Sequence, residues 1–334
     1  MKVALSGLSV IDWPQLYFAS PDEIGRLLKV NEYHLQQATD RDRLMAIHSE
    51  AIWYLRSQLQ YLLPEQLLKP TDPMKIFLTA SRPHGDALQS HACSLLKAMS
   101  IVNHVNGREL LYNAPISQRE LYALTEDKVE RELSALMREG FPILKYEGGR
   151  KAKESLITKL LSKRETIAAQ IYDRVRYRIV TRTKQDLLAL MLRLFDDLLP
   201  VNYLIPGASV NQLIRLSEFL TWRERVSRSV HRGTLKTMNF LADLLPFPGT
   251  EKEFSGRTYR VVKFVVDIPL RLDRFLASGR NSVYTEALGT LVFVLVEFQI
   301  VDEESDRQNQ IGRNSHPQYK ERQKRGVIRR LLAE

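Results

Sequence analysis

Apolar residues recur at helical spacing through the first 140 positions and at strand spacing further on. Leu44, Ile47, Ile52, Leu55, Leu59 and Leu62 stand three to five apart, which predicts an amphipathic helix over Arg41–Leu63. Ser20-Pro21-Asp22-Glu23 before it reads as a helix start, with a capping hydroxyl, proline in the first turn and two acids. A second apolar helix is expected over Ser90–Val105, closed by Asn106-Gly107, with Arg108-Glu109-Leu110-Leu111-Tyr112 as a link. Ser117–Gly140 reads as two helices, the second carrying Val129, Leu133, Leu136 and Met137 on one face. Downstream the period changes. Val175–Val180 alternates and predicts a strand, and Thr183-Lys184-Gln185-Asp186 opens a strongly apolar helix that ends near Leu199-Pro200. Val201–Gly207 is expected as a short strand or loop, and Asn211–Leu220 as a helix. Thr258–Asp267 and Gly289–Ile300 are β-branched runs that read as buried strands. Strands separated by helices predict an α/β (α+β) fold with a mixed sheet behind a helical N-terminal region.

Composition narrows the classes. Among 334 residues, 44% are hydrophobic and 26% charged, enough for a proper core in one large domain or two. The single cysteine, Cys93, excludes an intrachain disulfide framework and fits a reducing, cytoplasmic compartment; its place in a helical stretch suits packing. One cysteine and seven scattered histidines assemble no Cys/His metal cluster. No apolar run reaches the ~20 residues that a membrane span needs. The opening MKVALSGLSVIDWPQ lacks a sustained apolar core and a cleavage site, so it reads as mature chain. A net charge of +10 points to an anionic partner, nucleotide or nucleic acid.

That charge is concentrated. Lys145–Arg182 holds eleven Lys/Arg against four Asp/Glu, a local excess of seven. Lys151, Ser155, Lys159 and Lys163 follow at intervals of four, neighbouring turns of one helix face that drift by roughly 40° per step. Asp173 then precedes the Val175–Val180 strand. A cationic face leading to a strand that starts with a carboxylate suits a metal-carrying polyphosphate; a solvated basic helix followed by an ordinary strand gives the same pattern. Gly148-Gly149 would let the backbone turn ahead of that helix, with Phe141–Tyr146 as its lead-in. Glu297 sits in the most apolar run of the chain, where an unpaired buried carboxylate costs several kcal/mol. It is therefore expected to be metal-bound, paired or exposed at a strand end.

These residues resemble the synthetase domain of RelA/SpoT-type alarmone enzymes, which have a nucleotidyltransferase-like fold. The family's Lys-x3-Ser-x3-Lys helix matches Lys151, Ser155 and Lys159, and its Asp-x4-Arg-Ile-Val strand matches Asp173, Arg178, Ile179 and Val180. Val296-Glu297-Phe298-Gln299-Ile300 is similar to the family's Val-Glu-x-Gln-Ile strand. The resemblance covers roughly Lys145–Asp302 and implies Mg2+-dependent transfer of pyrophosphate, or of a nucleotidyl group, from ATP to a nucleotide or an RNA 3′-hydroxyl. It makes Asp173 and Glu297 the metal-binding and catalytic pair, with Glu297 aiding the metal or accepting the hydroxyl proton. Lys151, Lys159 and Arg178 would contact the triphosphate, with Ser155 on the same helix, and Gln299 would support the site. In the family's Tyr-x-Ser-x-His strand, Tyr259 is kept while Val261 and Lys263 replace the serine and histidine, so the donor half matches more closely than the acceptor half. The His-Asp motif of the family's hydrolase domain is not recognisable.

The expected organisation is a helical region over 1–144, a RelA/SpoT-like domain over 145–312 and a basic tail over 313–334. Seven Lys/Arg against one acid in Arg313–Arg330 suggest a basic helix that closes over the site, contacts RNA or is solvated. Arg223–Lys236 is a second cationic stretch. Two other readings remain open: a nucleotide- or RNA-binding module of the same fold without turnover, and a DNA-binding winged helix over Ser117–Gly140.

Overall fold

The computed structural model describes residues 18, 20–69, 72–83, 86–162, 174–215, 218–219, 222, 259–276, 287–311 and 316–332. Six helices come first: α1 Pro21–Val30, α2 Ala38–Ser57, α3 Glu65–Leu68, α4 Met74–Ala80, α5 Ala87–Asn113 and α6 Gln118–Arg138. Strand β1 (Ile143–Arg150), helix α7 (Lys153–Ser162), β2 (Val175–Thr181) and α8 (Lys184–Asp197) follow. After a 3-10 turn at Val201–Tyr203 come β3 (Val210–Asn211), β4 (Val262–Arg271), α9 (Asp273–Leu276), β5 (Leu291–Asp302), α10 (Glu303–Asn309) and α11 (His316–Leu332). The strands form one mixed sheet in the order β1-β2-β5-β4-β3; β2 and β5 are parallel and the other neighbours antiparallel. This is the mixed α/β fold that the pattern predicts. No helix among the described residues is long and apolar enough to cross a membrane.

Strand alternation gives the sheet two unlike faces. On one face Val175, Tyr177 and Ile179 of β2 align with Val296, Phe298 and Ile300 of β5 and with Val262, Phe264 and Val266 of β4. Val129, Leu133 and Leu136 of α6 and Leu187, Leu190, Met191 and Leu194 of α8 pack onto them. Phe298 is the centre of this layer, stacked between Tyr177 at 5.8 Å and Phe264 at 5.5 Å. Each large side chain so buried contributes about 1.5–3 kcal/mol. A second core joins α1, α2, α4 and α5 and reaches the sheet through Leu291.

Several elements differ from the sequence expectation. Helix α5 does not stop at Asn106-Gly107 but continues through the expected link to Asn113. Gly107 lies inside the helix because a Cβ there would stand 2.4 Å from the Phe293 ring and 2.8 Å from the Leu291 carbonyl oxygen. Ser117–Gly140 holds one continuous helix, opened by a capping box between Ser117 and Glu120, so the turn that a winged helix needs is absent. The lead-in before the basic helix is strand β1, and Gly148-Gly149 lie in it. Gly148 faces Tyr177, whose ring would be 2.4 Å from an added Cβ. Strand β4 runs past Asp267 and through Pro269; among the described residues β3 pairs only with Val262 and Lys263, so no described strand stands beside Pro269 on that flank to receive an N–H. Asn211 ends a strand, and its side chain caps the loop that follows by accepting from the N–H of Leu213 and Ile214. Arg223–Lys236 lies outside the described residues.

Candidate functional site

The opposite face of the sheet carries Arg176 and Arg178 on β2, Glu297 and Gln299 on β5, and Lys263 and Val265 on β4. Glu297 is only 4% exposed, yet both of its oxygens have donors. Lys263 Nζ donates to Oε2 at 2.7 Å, and Gln299 Nε2 donates to Oε1 at 2.6 Å. Leu295 and Gln299, two before and two after Glu297, are the β5 positions that are not fully buried.

Gln299 links this carboxylate to a second cluster. Its Oε1 accepts from Arg178 Nη1 at 3.4 Å. The same guanidinium donates to the Tyr259 hydroxyl at 3.2 Å and, through Nη2, to Asp306 Oδ1 at 2.8 Å. Lys145 Nζ of β1 reaches Asp306 Oδ2 at 3.1 Å. Local sequence explains the placement. Asp302 ends β5 and caps α10 by accepting from the Ser305 N–H at 2.7 Å, which sets Asp306 one turn into that helix. Asn309 then exchanges two hydrogen bonds with the backbone of Arg260, at 2.9 and 2.6 Å, and fixes the chain beside Tyr259. Burial alone would raise the Asp306 acid, but Arg178 and Lys145 outweigh it and hold the carboxyl below the usual range. Burial likewise works against charge on Arg178, and Tyr259 and Asp306 more than offset it.

Arg178, Tyr259, Lys263, Glu297 and Gln299 are thus joined in one hydrogen-bonded chain across β2, β5 and β4. The other expected residues that are described lie on or next to α7. Lys151 precedes the helix, and its N–H donates to the Arg174 carbonyl at 2.9 Å, tying the start of α7 to the start of β2. Ser155 accepts from Lys320 Nζ of α11 at 3.0 Å, and Lys159 is in the last turn of α7. The tail forms α11, packed along α7, where Arg330 Nη1 donates to the Leu161 carbonyl at 2.8 Å. Asp173 and Lys163 lie outside the described residues. Among the described residues no group of three or more His, Cys, Asp or Glu is arranged to hold a metal ion. Glu297, with N–H donors on both oxygens, does not by itself fit a Mg2+ site.

No protein-family model matches the chain, and no curated protein does. Solved structures do. Small alarmone synthetase 1 from Bacillus subtilis, bound to its product pppGpp, is 18% identical over 63% of this chain and 85% of its own, with a TM-score of 0.34. Small alarmone synthetase 2 from Bacillus subtilis is 14% identical over 64% of this chain and 90% of its own, with a TM-score of 0.31. A GTP pyrophosphokinase family protein from Streptococcus pneumoniae is 15% identical over 64% and 83%, with a TM-score of 0.30.

Three contributors escaped the sequence reading: Asp306, Lys145 and Lys320. Asp306 sits 128 positions from the arginine that it holds, and such pairing leaves no local signature. Its nearest sequence signal is the acid-rich first turn of α10 directly after the Val-Glu-x-Gln-Ile strand.

Proposed function

We propose that the polar face of the sheet binds the polyphosphate of ATP and transfers its pyrophosphate to the 3′-hydroxyl of a second nucleotide or of RNA. The observation that carries this reading is the buried, doubly hydrogen-bonded Glu297 on a face that also carries Arg178, Lys145 and Lys263. A carboxylate among cations that can hold phosphates is placed to receive the proton of an attacking hydroxyl, once Lys263 turns from it to a phosphate. In the proposed step the acceptor oxygen attacks the β-phosphorus of ATP, the bond from that phosphorus to the α–β bridging oxygen breaks, and AMP leaves. The hydroxyl proton passes to Glu297. Arg178, fixed by Asp306, orients the triphosphate, and Lys151, Ser155 and Lys159 line its path along α7. Tyr259 and Gln299 hold Arg178 in register. Mg2+ enters the proposal as counter-ion of the polyphosphate, with Asp173 as its expected carboxylate.

A nucleotide-binding module without turnover is the second reading. It is favoured by one feature, the Lys263 ammonium seated directly on Glu297. Incubation with γ-labelled ATP, Mg2+ and GDP, GTP, ADP or bulk tRNA separates the two. Transfer of label to one acceptor, lost in Glu297→Gln and Asp173→Asn and on chelation of Mg2+, is the expected result. ATP binding without transfer, unchanged in both variants, selects the module. Absence of ATP binding overturns both readings.

A further inference from the structure

The same sheet face continues past Glu297 into a second cluster. Asp267 of β4 is fully buried, and its Oδ2 accepts from His104 Nε2 at 2.7 Å and from Arg108 Nη2. The two donors are one turn apart on α5, so both side chains reach the sheet from one helix face. The Arg108 side chain is 36% exposed and that of His104 26%, so each has an edge turned to solvent while its other edge is anchored. His104 is further fixed by the rings of Tyr203 and Phe293, at 5.1 and 4.8 Å. The second carboxylate oxygen of Asp267 is buried as well.

Register places this cluster relative to Glu297. Val265 pairs with Glu297 and Asp267 with Leu295, so Asp267 and Glu297 are diagonal neighbours on one face, about 7–8 Å apart at Cα. Lys263 occupies the opposite diagonal, across from Gln299. The part-exposed Leu295 forms an apolar floor between the two carboxylates. Glu297 therefore has Arg176 as its β2 partner and Arg178 on the β2 diagonal, while Asp267, which holds Arg108, occupies the β4 diagonal.

We infer that Arg108, steered by Asp267 and flanked by His104, is the anchor for the 5′-phosphates of the acceptor nucleotide. The ribose would lie over Leu295, with its hydroxyl at Glu297. A guanidinium held by one edge presents its remaining N–H donors in fixed geometry, as bidentate phosphate recognition requires. The assignment moves acceptor recognition from the β4 positions occupied by Val261 and Lys263 to the N-terminal helical layer. It deepens the transferase reading, and its test separates the two.

Binding of GDP, ADP and guanosine to the full chain is measured with the donor side filled by α,β-methylene-ATP. In Arg108→Gln the two diphosphates should bind about ten- to hundredfold more weakly, with guanosine and α,β-methylene-ATP unchanged within about twofold. Arg108→Lys should lose less than Arg108→Gln, since it keeps the charge and loses the fork. Diphosphate affinities unchanged in Arg108→Gln overturn the inference. So does a uniform loss for every ligand together with a lower melting temperature, which marks a clamp. Arg108-dependent diphosphate binding in a chain that does not bind α,β-methylene-ATP leaves this site standing and removes the donor half of the transferase reading.

Discussion

The two faces of the central sheet are written by the same strands and do opposite work. Phe298 and Glu297 are neighbours in sequence, both buried, and point to opposite sides of β5. Phe298 is held by two stacked rings and the apolar faces of α6 and α8, where any well-fitting hydrocarbon contributes about the same. Glu297 is held by named polar atoms at 2.6 and 2.7 Å, where a change of one atom type alters the chemistry and hardly the volume. Burial at Phe298 therefore rests on hydrocarbon packing, and burial at Glu297 on specific polar pairing.

The sharpest way to break this contrast is to mutate both neighbours. Under the proposed function, Glu297→Gln should lower pyrophosphate transfer per folded molecule by about 10²–10⁴, beside the stability lost by leaving the Lys263 ammonium without its counter-charge. Phe298→Ala should act on stability alone. Removal of its ring from between Tyr177 and Phe264 should cost about 3–5 kcal/mol of unfolding free energy, measured by urea titration, with activity per folded molecule retained. A folded Glu297→Gln chain with undiminished transfer would make the polar face a structural layer like the other.

The strongly patterned parts of this molecule were legible in its sequence. Strands β2, β4 and β5 are legible in the runs Val175–Val180, Thr258–Asp267 and Gly289–Ile300, and α8 in the helix start at Thr183–Asp186. Arg178, Glu297, Gln299, Tyr259 and Lys263 were all singled out, and the structure joins them in one network. What stayed hidden depended on tertiary contact. Strand β1 holds two consecutive glycines, which read as punctuation, and its pairing with β2 exists because Gly148 makes room for Tyr177. Gly107 read as a helix end for the same reason: in isolation glycine weakens a helix, and only the approach of Phe293 explains why it is needed inside one. The anchoring of Arg178 by Asp306 and of Arg108 by Asp267 spans more than a hundred residues in each case and has no periodic trace.

Gly107→Ala tests how tightly α5 must sit on the sheet. The added methyl would meet the Phe293 ring, which can turn, and the Leu291 carbonyl oxygen, which belongs to the backbone of β5. A loss of about 1–3 kcal/mol is expected in urea unfolding. A second change, Phe293→Leu, should recover only part of it, because the carbonyl contact remains. Full recovery would show that the ring alone sets the distance between helix and sheet.

Asp306→Asn is expected to have the smallest effect on stability and gives the clearest dependence on pH. Its carboxylate joins Arg178 and Lys145, two partly exposed cations, so its removal should cost about 1–2 kcal/mol at neutral pH. Burial pushes the acid up, but the two cations push it further down, so the folded chain holds Asp306 ionised to lower pH than the unfolded chain does. A group depressed in this way stabilises the fold at every pH above its unfolded value, near about 3.9. That contribution is lost as pH falls through the lower folded value, where the carboxyl becomes protonated in both states. The stability gap between wild type and Asp306→Asn, followed by urea unfolding from pH 7 downward, should therefore stay constant to about pH 4–5 and narrow below it. A gap that persists unchanged in acid would mean that Asp306 stabilises through its shape and hydrogen bonds rather than its charge, and Arg178 would then be positioned by packing as the residues of the opposite face are.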